Sequence, residues 1–268
     1  ELESRNLEIA FSVCLRPNNL TEKNRPLLEK LKSVGLKGIF LGIESGSKSD
    51  IQLYNKKVKI AQNENAIKLL RSLAIPFQFG FIMYNPFSSF STLRENLNFL
   101  EKTKLGIDYT AFLKGLDVYP GTKLYTQLAE KNLLNTYQDA RVHAIYQFFN
   151  KFDEKELFSL ERKLVNLIST LHILPELIVF YLTEVKNPQL QQILLKFQTI
   201  FLKIRDKINE LNCNFFREIL NQIERGNSLK NLQELKKTFL DAKIKISMEL
   251  FESYNEFKRV LNQVAREK

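Results

Sequence analysis

The sequence predicts an α/β protein, a partial (β/α) TIM-type barrel of parallel strands followed by an all-α helical region. In the first half, apolar strand-like runs alternate with helical patterns, as in successive βα units. No two runs are joined by a two-residue hairpin turn, which disfavours an antiparallel sheet. Later apolar residues follow a helical period, with Gly226 as the only glycine there. We therefore divide the chain into a barrel-like part, 1–135, and a helical part, 136–268.

Four apolar runs, rich in branched and aromatic residues, predict the strands. They are Leu7–Arg16, Lys37–Ile43, Phe77–Met83 and Asp108–Pro120. Because these runs are nearly continuous in apolar residues, we expect both faces of the sheet to be covered. Cys14 lies inside the first run, so a buried and inert thiol is expected.

Helical patterns separate and follow these strands. In the barrel-like part they cover 21–35, 61–75, 91–106 and 122–134. Thr21 is the expected N-cap of the first, Ser91 or a neighbour caps the third, and Gly35 and Gly106 end the first and third. In the helical part, Pro175, Pro188 and the stop-and-cap pattern "ERGNS" at 224–228 indicate breaks between helices. A bundle of four to six helices is expected.

Composition narrows the classes of function. The 268 residues carry a net charge of +10, which permits an anionic partner. Nucleic acid is not favoured, because the lysines are interspersed with acidic residues and no nucleic-acid-binding signature accompanies them. The longest apolar run of the helical part, Leu177–Leu182, is too short to span a membrane. The start, "ELESRNLEIAF", has no signal-peptide features and no initiator Met.

Metal-ligating side chains are scarce. The two cysteines, Cys14 and Cys213, make no disulfide framework and fit a reducing, cytoplasmic compartment. Two cysteines also fall short of an iron-sulfur or zinc ligand set. His143 and His172 lie in helical patterns, and we expect both to be structural.

Polar residues follow each predicted strand at its carboxyl end, where parallel α/β folds place their ligands. The ends carry Arg16, then Glu44 and Ser45, then Tyr84 and Asn85, then Asp117, Tyr119 and Thr122. Arg16 and Glu44 on adjacent strands suit a zwitterion, since Arg pairs with a carboxylate and Glu accepts from an ammonium or from ribose hydroxyls.

Three glycines near the strand ends also fit a ligand site, but each polar residue has a structural alternative. Gly42, Gly46 and Gly80 would let a flat ligand approach the backbone. In the alternative interpretation Glu44 caps the next helix and Arg16 pairs with it, while Asp117 is a surface carboxylate.

Four motifs in this order resemble the radical S-adenosylmethionine (SAM) enzymes, and in particular the group often found with a cobalamin-binding domain. They are "FSVCLRPNN", "GIFLGIESGS", "FQFGFIMYNP" and "DVYPGT". The segment "DARVHAIYQFF" also resembles the helical region that follows the barrel in that group. The resemblance covers about residues 7 to 150.

The resemblance implies a set of cofactor contacts. Glu44 and Ser45 would contact the amino-acid or ribose portion of SAM, and Arg16 would help to position it. The adenine pocket would be lined by Gly80, Phe81 and Ile82, with Tyr119 in the motif after the sixth strand. The family's CxxxCxxC loop holds a 4Fe-4S cluster that cleaves SAM to a 5′-deoxyadenosyl radical, and members of this group associate with cobalamin.

The sequence also departs from the family. It lacks the CxxxCxxC loop, the first two strands and the glycine-rich segment for the SAM amino group, and "MYNPFSS" replaces the usual glycine and acid. We therefore expect the later part of a radical SAM enzyme that modifies an unknown substrate, by methyl transfer if cobalamin is used, and is inactive as the isolated chain.

An open sheet edge is expected at Leu7–Arg16, covered by a missing N-terminal segment, a partner chain or the helical half. The alternative function is a non-catalytic, degenerate-barrel scaffold. Its basic helical half would bind a protein or an anionic partner.

Overall fold

Three parallel strands form the sheet of the computed structural model, which describes residues 9–152, 171, 173–227 and 232–266. The strands are β1 (Phe11–Leu15), β2 (Leu36–Glu44) and β3 (Phe77–Phe81), in the order β1-β2-β3. Leu41 on the central strand lies opposite Leu15 on one side and Phe79 on the other. The α/β class and the parallel pairing are confirmed, whereas the described residues show a three-stranded sheet and no closed barrel.

The prediction of a fourth strand is wrong. Leu105–Ile107 and Tyr109–Phe112 form short 3-10 helices, and a single bridge joins Tyr84 to Gly115 beside β3. The Asp108 carboxylate accepts hydrogen bonds from the amide and the hydroxyl of Thr110 at 3.0 and 2.7 Å. Such a local bond starts a turn rather than a strand, and it lets the following aromatic residues pack inward.

Five helices accompany the sheet in the described first half. They are α1 (Arg25–Ser33), α2 (Lys48–Leu53), α3 (Ile60–Ser72), α4 (Phe90–Thr103) and α5 (Lys123–Glu130). Four of them correspond to the predicted helical patterns, and α2 is an additional short helix. It lies between the end of β2 and the start of α3.

Two of the predicted helix boundaries, at Thr21 and at Gly106, are wrong, whereas the cap of α4 lies near Ser91 as predicted. Thr21 precedes a separate 3-10 turn, Glu22–Asn24, and α1 begins only at Arg25, next to a proline that favours the first helical turn. The cap of α4 is Ser89, whose hydroxyl accepts from the Thr92 amide at 3.3 Å. Lys104, in the left-handed region with φ 57°, ends α4 before Gly106 is reached.

The helical half contains four helices within the described ranges. They are α6 (Ala140–Phe152), α7 (Leu174–Glu184), α8 (Pro188–Glu224) and α9 (Gln233–Arg266). Asn187 caps α8 by accepting from the Gln189 amide at 2.9 Å, and the stop after Glu224 includes Gly226 at φ 82°. The predicted cap at Ser228 and the prediction for His172 lie outside the described residues. No helix in the described ranges is long and apolar enough to cross a membrane.

One hydrophobic core joins the sheet to the helical half. It contains the inward side chains of β2 together with residues of α3, α4, α6, α8 and α9. Asn212 on α8 donates to the Gly106 carbonyl at 2.8 Å, and a Cβ added at Gly106 would lie 2.7 Å from Cys213 Sγ. The long helix therefore packs directly against the segment that follows α4.

The two faces of the sheet differ in burial. Ile39, Leu41 and Ile43 are buried against the helices, whereas Cys14 and Phe40 on the opposite face are exposed. Ser12 and Gln78 are exposed as well. The predictions that both faces are covered and that Cys14 is buried are therefore wrong for the described residues. Side chains alternate along a strand, so one side of an apolar run can remain open even when the other is core.

Candidate functional site

Glu44 ends β2 in a strained conformation and lies over the open face of the sheet. Its φ of 68° is in the left-handed region, which is costly for a residue with a side chain. A Cβ built at Gly42 would lie 3.0 Å from Glu44 Oε1, and one at Gly80 would lie 3.4 Å from Oε2. The carboxylate is thus held above a floor made by two glycines on adjacent strands.

Lys56 pairs with this carboxylate. Its Nζ lies 2.5 Å from Glu44 Oε1, and the two side chains are 28% and 17% exposed. Lys56 follows α2, so the short helix folds the chain back toward the end of β2. Lys56 is not predicted by the sequence, because a lysine in "NKK" carries no signal that it returns to a residue 12 positions earlier.

Arg16 lies at the end of β1 and is exposed. In the described part of the chain no hydrogen bond or ion pair joins it to Glu44. The alternative in which Arg16 neutralises Glu44 is therefore not what the structure shows, since Lys56 holds that position.

Ser45 points the other way, into the core, where its side chain is fully buried. Its hydroxyl lies 2.7 Å from Asn96 Oδ1 and 3.0 Å from Asp50 Oδ2, and it accepts from the Ser47 amide at 2.9 Å. Neighbouring residues of the motif thus serve the two faces, with Glu44 on the open side and Ser45 anchoring the loop below.

Asp50, on α2, is the centre of this buried network. Its carboxylate accepts from Asn85 Nδ2 at 3.0 Å and from Asn96 Nδ2 at 3.2 Å, in addition to the contact with Ser45. Burial raises the pKa of Asp50, and these hydrogen bonds oppose the rise. Asn85 Nδ2 also donates to Tyr54 Oη at 3.0 Å.

A signal for this network was present in the sequence. Asn63 and Asn96 interrupt the otherwise apolar faces of α3 and α4, and both are fully buried. A buried amide needs hydrogen-bond partners, so an asparagine on the inner face of a helix indicates a polar network nearby. Which residues complete the network could not be read from that pattern.

Gly46 serves packing and does not face a ligand. A Cβ there would lie 2.2 Å from the Phe99 Cβ on α4. The prediction that Gly46 opens the backbone to a flat ligand is therefore wrong, while Gly42 and Gly80 do lie on the open face.

The other predicted cofactor contacts lie in different surroundings. Phe81 is buried and stacks on Phe99 with ring centroids 6.1 Å apart, and Ile82 is half-buried. The Ile82 amide donates to the Glu44 carbonyl at 2.7 Å, which ties the end of β3 to the glutamate. Tyr119 is 68% exposed in the turn before α5. Its carbonyl accepts from the Thr122 hydroxyl at 2.8 Å, and among the described residues no hydrogen bond, ion pair or ring contact joins Tyr119 to Glu44 or to Gly80–Ile82.

The remaining titratable candidates have structural surroundings. His143 packs against the Tyr137 ring at 5.1 Å and lies 3.0 Å from Gln147 Nε2, while Asp117 is exposed as the alternative interpretation predicted. The described residues include no group of three His, Cys, Asp or Glu side chains that could hold a metal ion. The three ligands of an iron-sulfur cluster are therefore not found among them.

The open face has the chemistry to bind a flat, polar molecule. Gly42 and Gly80 form the floor, Glu44 is a strong hydrogen-bond acceptor, and Lys56 is a cation beside it. The Phe40 ring, 43% exposed, lies close to Gly80 and offers an apolar surface. A zwitterion can exchange with an existing ion pair, since its ammonium suits Glu44 and its carboxylate suits Lys56.

Comparison with known proteins supports the resemblance to radical SAM enzymes. The chain is 32% identical over 152 residues to the 4'-phospho-dehydrooxetanocin synthase of Priestia megaterium, covering 53% of this chain and 19% of that protein. It is 27% identical over 135 residues to an uncharacterized methyltransferase of Pyrococcus horikoshii, covering 50% of this chain and 28% of that protein. No protein-family model matches the chain.

The fold has a counterpart among solved structures. The apo structure of the cobalamin-dependent S-adenosylmethionine radical enzyme OxsB matches with a TM-score of 0.51 and 17% identity. The match covers 98% of this chain and 44% of that chain, so this chain spans less than half of the length of each of these proteins. The predicted resemblance to the radical SAM superfamily is confirmed.

Proposed function

We propose that this chain is part of a cobalamin-associated radical SAM enzyme. It would supply one side of the SAM pocket, on the open face of β2 and β3. The observation that carries the proposal is the Glu44 carboxylate, which lies above Gly42 and Gly80 in a strained backbone conformation. Strain of this kind is found at functional sites, where surrounding contacts fix a residue in an unfavourable conformation. The sequence relationship to a synthase and a methyltransferase supports an enzyme of this kind.

The residues present fit SAM. A side chain at either glycine would occupy space beside the carboxylate, so the floor suits a planar group lying close to the backbone. Glu44 would accept hydrogen bonds from the ribose hydroxyls or the ammonium of SAM, and Lys56 would pair with its carboxylate. SAM would supply the radical or methyl-transfer chemistry, while these side chains bind and orient it.

The described residues do not fit a 4Fe-4S cluster, since they provide no set of three suitable ligands. In the proposed function, the cluster ligands come from another segment of the complete enzyme or from a partner chain. That segment or partner would also cover the edge strand β1, whose last residue, Leu15, is followed by the exposed Arg16. The substrate and the use of cobalamin are properties of the complete enzyme.

The test is SAM affinity in the full-length protein, purified without oxygen and measured by equilibrium dialysis. Glu44→Gln removes the charge and keeps the size, and we expect SAM to bind about tenfold more weakly or worse, as for a lost charged hydrogen bond. Glu130→Gln is the matched control, because Glu130 is an exposed glutamate at the end of α5. Equal affinity of the Glu44 variant and the wild type would contradict the proposal.

Iron content and low-temperature EPR of the same sample test the enzyme as a whole. About four irons per chain, with a reduced signal that SAM perturbs, are expected for a single 4Fe-4S cluster. A protein with neither iron nor SAM binding would favour the alternative, a non-catalytic binding module. Met248 and Phe251, 57% and 54% exposed on α9, would then be the first candidate contacts for a protein partner.

A further inference from the structure

We propose that Asp50 is a positioning residue for the Glu44–Lys56 pair, acting by tying the carboxyl ends of β2 and β3 to α4. The proposal rests on the proposed function, in which that pair contacts SAM. It adds a role for a residue that does not itself reach the open face, since Asp50 is only 3% exposed.

The Asp50 carboxylate links three separate elements. Oδ2 lies 3.0 Å from the Ser45 hydroxyl, just beyond β2, and accepts from Asn96 on α4 at 3.2 Å. Oδ1 accepts from Asn85, beyond β3, at 3.0 Å. Asn96 in turn accepts from the Gly46 amide at 2.7 Å. A single carboxylate therefore fixes the loop that follows Glu44 from both sides.

The same residue controls where Lys56 lies. Asp50 lies on α2, the helix that separates Glu44 from Lys56 along the chain. The Asp50 carbonyl accepts from the Tyr54 amide at 2.9 Å, and the Tyr54 hydroxyl accepts from Asn85 at 3.0 Å. Both ends of the segment from Glu44 to Lys56 are thus held to one buried centre.

The cost of this arrangement indicates a role beyond stability. A buried carboxylate without a cation is unfavourable unless hydrogen bonds satisfy it. The described partners of the Asp50 carboxylate are a hydroxyl and two amides, with no lysine or arginine among them. An apolar residue on α2 would fill this core position without a desolvation penalty, but it could not orient Ser45, Asn85 and Asn96 together.

The first experiment combines Asp50→Asn with Glu44→Gln in the full-length protein. In either orientation the new amide turns an N–H group toward another side-chain N–H group, that of Asn96 or that of Asn85, so the loop should lose its fixed geometry. We expect Asp50→Asn alone to weaken SAM binding about tenfold, the scale of one unsatisfied buried polar group. Adding Glu44→Gln should then weaken binding by less than about threefold more, because residues that act together are not additive.

A polarity swap provides the rescue. In Asp50→Asn/Asn96→Asp, the carboxylate at position 96 can accept from Ser45, from the Gly46 amide and from the amide now at position 50. All these donors again have acceptors, and we expect SAM affinity within about threefold of the wild type. If the single variant does not fold, the folded double variant decides the question, and its failure to bind SAM overturns the proposal.

Amide hydrogen exchange at Gly46, measured without SAM, separates this proposal from the proposed function. Faster exchange in Asp50→Asn, and recovery in the double variant, support positioning even if the wild type binds no SAM, in which case the proposed function alone fails. Unchanged exchange overturns the positioning role. Wild-type SAM affinity in Asp50→Asn, or full additivity with Glu44→Gln, overturns it as well.

Discussion

The two faces of the sheet are formed by the same three strands, but one face packs into the core and the other is open. On the covered face, Leu41 and Ile43 are fully buried in the core. On the open face, Gly42 and Glu44 alternate with them along β2 and leave a charged group above a bare backbone. The difference shows that a strand with period two can supply stability and a binding surface at once, one residue apart.

The largest expected difference between the core and the open face is in the reaction rates of their two thiols. Burial raises the pKa of the Cys213 thiol to about 12, whereas Cys14 is exposed on the open face. At pH 8 Cys213 would be almost entirely protonated, so we expect iodoacetamide to alkylate Cys14 at least about a hundredfold faster. Peptide mass spectrometry of the native protein measures both rates. Similar rates in the native state would contradict this difference, and similar rates after unfolding serve as the control.

Truncation on the two faces should separate their contributions to stability. Leu41→Ala leaves a cavity in the core and is expected to lower the free energy of unfolding by about 3 kcal/mol. Phe40→Ala, on the adjacent and exposed position, should lower it by less than about 1 kcal/mol. Urea unfolding provides both values. Equal losses would mean that the open face is covered in the protein in solution.

The glycines allow a similar test. Gly46→Ala forces a Cβ to within 2.2 Å of the Phe99 Cβ, and such overpacking should cost about 2 kcal/mol. Gly80→Ala meets the Phe40 ring at 3.2 Å, which can move, so its cost should stay below about 1 kcal/mol. We expect Gly80→Ala to weaken SAM binding with little loss of stability, whereas Gly46→Ala loses stability because it displaces the loop that packs against α4. Thermal unfolding and equilibrium dialysis together decide whether the two glycines differ in this way.

The smallest effect on stability, and the sharpest contrast with function, is expected at Glu44. Glu44→Gly relieves the left-handed strain but removes an ion pair with Lys56, so a net stabilisation of about 0.5 kcal/mol is expected. SAM affinity should fall in the same variant. Lys104→Gly, at φ 57° and paired with Asp206, is the control that should change stability in the same way without affecting SAM. A Glu44→Gly protein that binds SAM normally would show that the strain serves no ligand.

Much of the fold was predictable because its signals are local. Alternating strand and helix patterns identified all three strands and four of the helices around them, and Pro188 with Gly226 marked the limits of α8. The fourth strand was predicted wrongly because the Asp108 side chain bonds to the Thr110 amide, a local preference that overrides an apolar run. The periodicity of apolar residues indicates which residues are buried, but it does not predict such a turn.

The candidate site was only partly predictable. The motif around Glu44 and Ser45 was found, and their opposite orientations continue the alternation of β2, but which of the two faces the open side could not be read from the motif. Lys56 was missed because its position depends on how α2 folds back. Asp50 was missed because nothing near it in the sequence indicates that its partners are Asn85 and Asn96.

The sequence by itself determined the elements, their order and the resemblance to radical SAM enzymes, since each depends on patterns within a few neighbouring residues. The tertiary structure alone decided which face of the sheet stays open and which polar residues meet. Asp50 and Asn96 are 46 residues apart along the chain, and they come together only because α4 packs against the end of β2, with Gly46 against Phe99. Contacts of that kind are set by packing across elements, and this is why the sequence could indicate a site at Glu44 but could not assemble it.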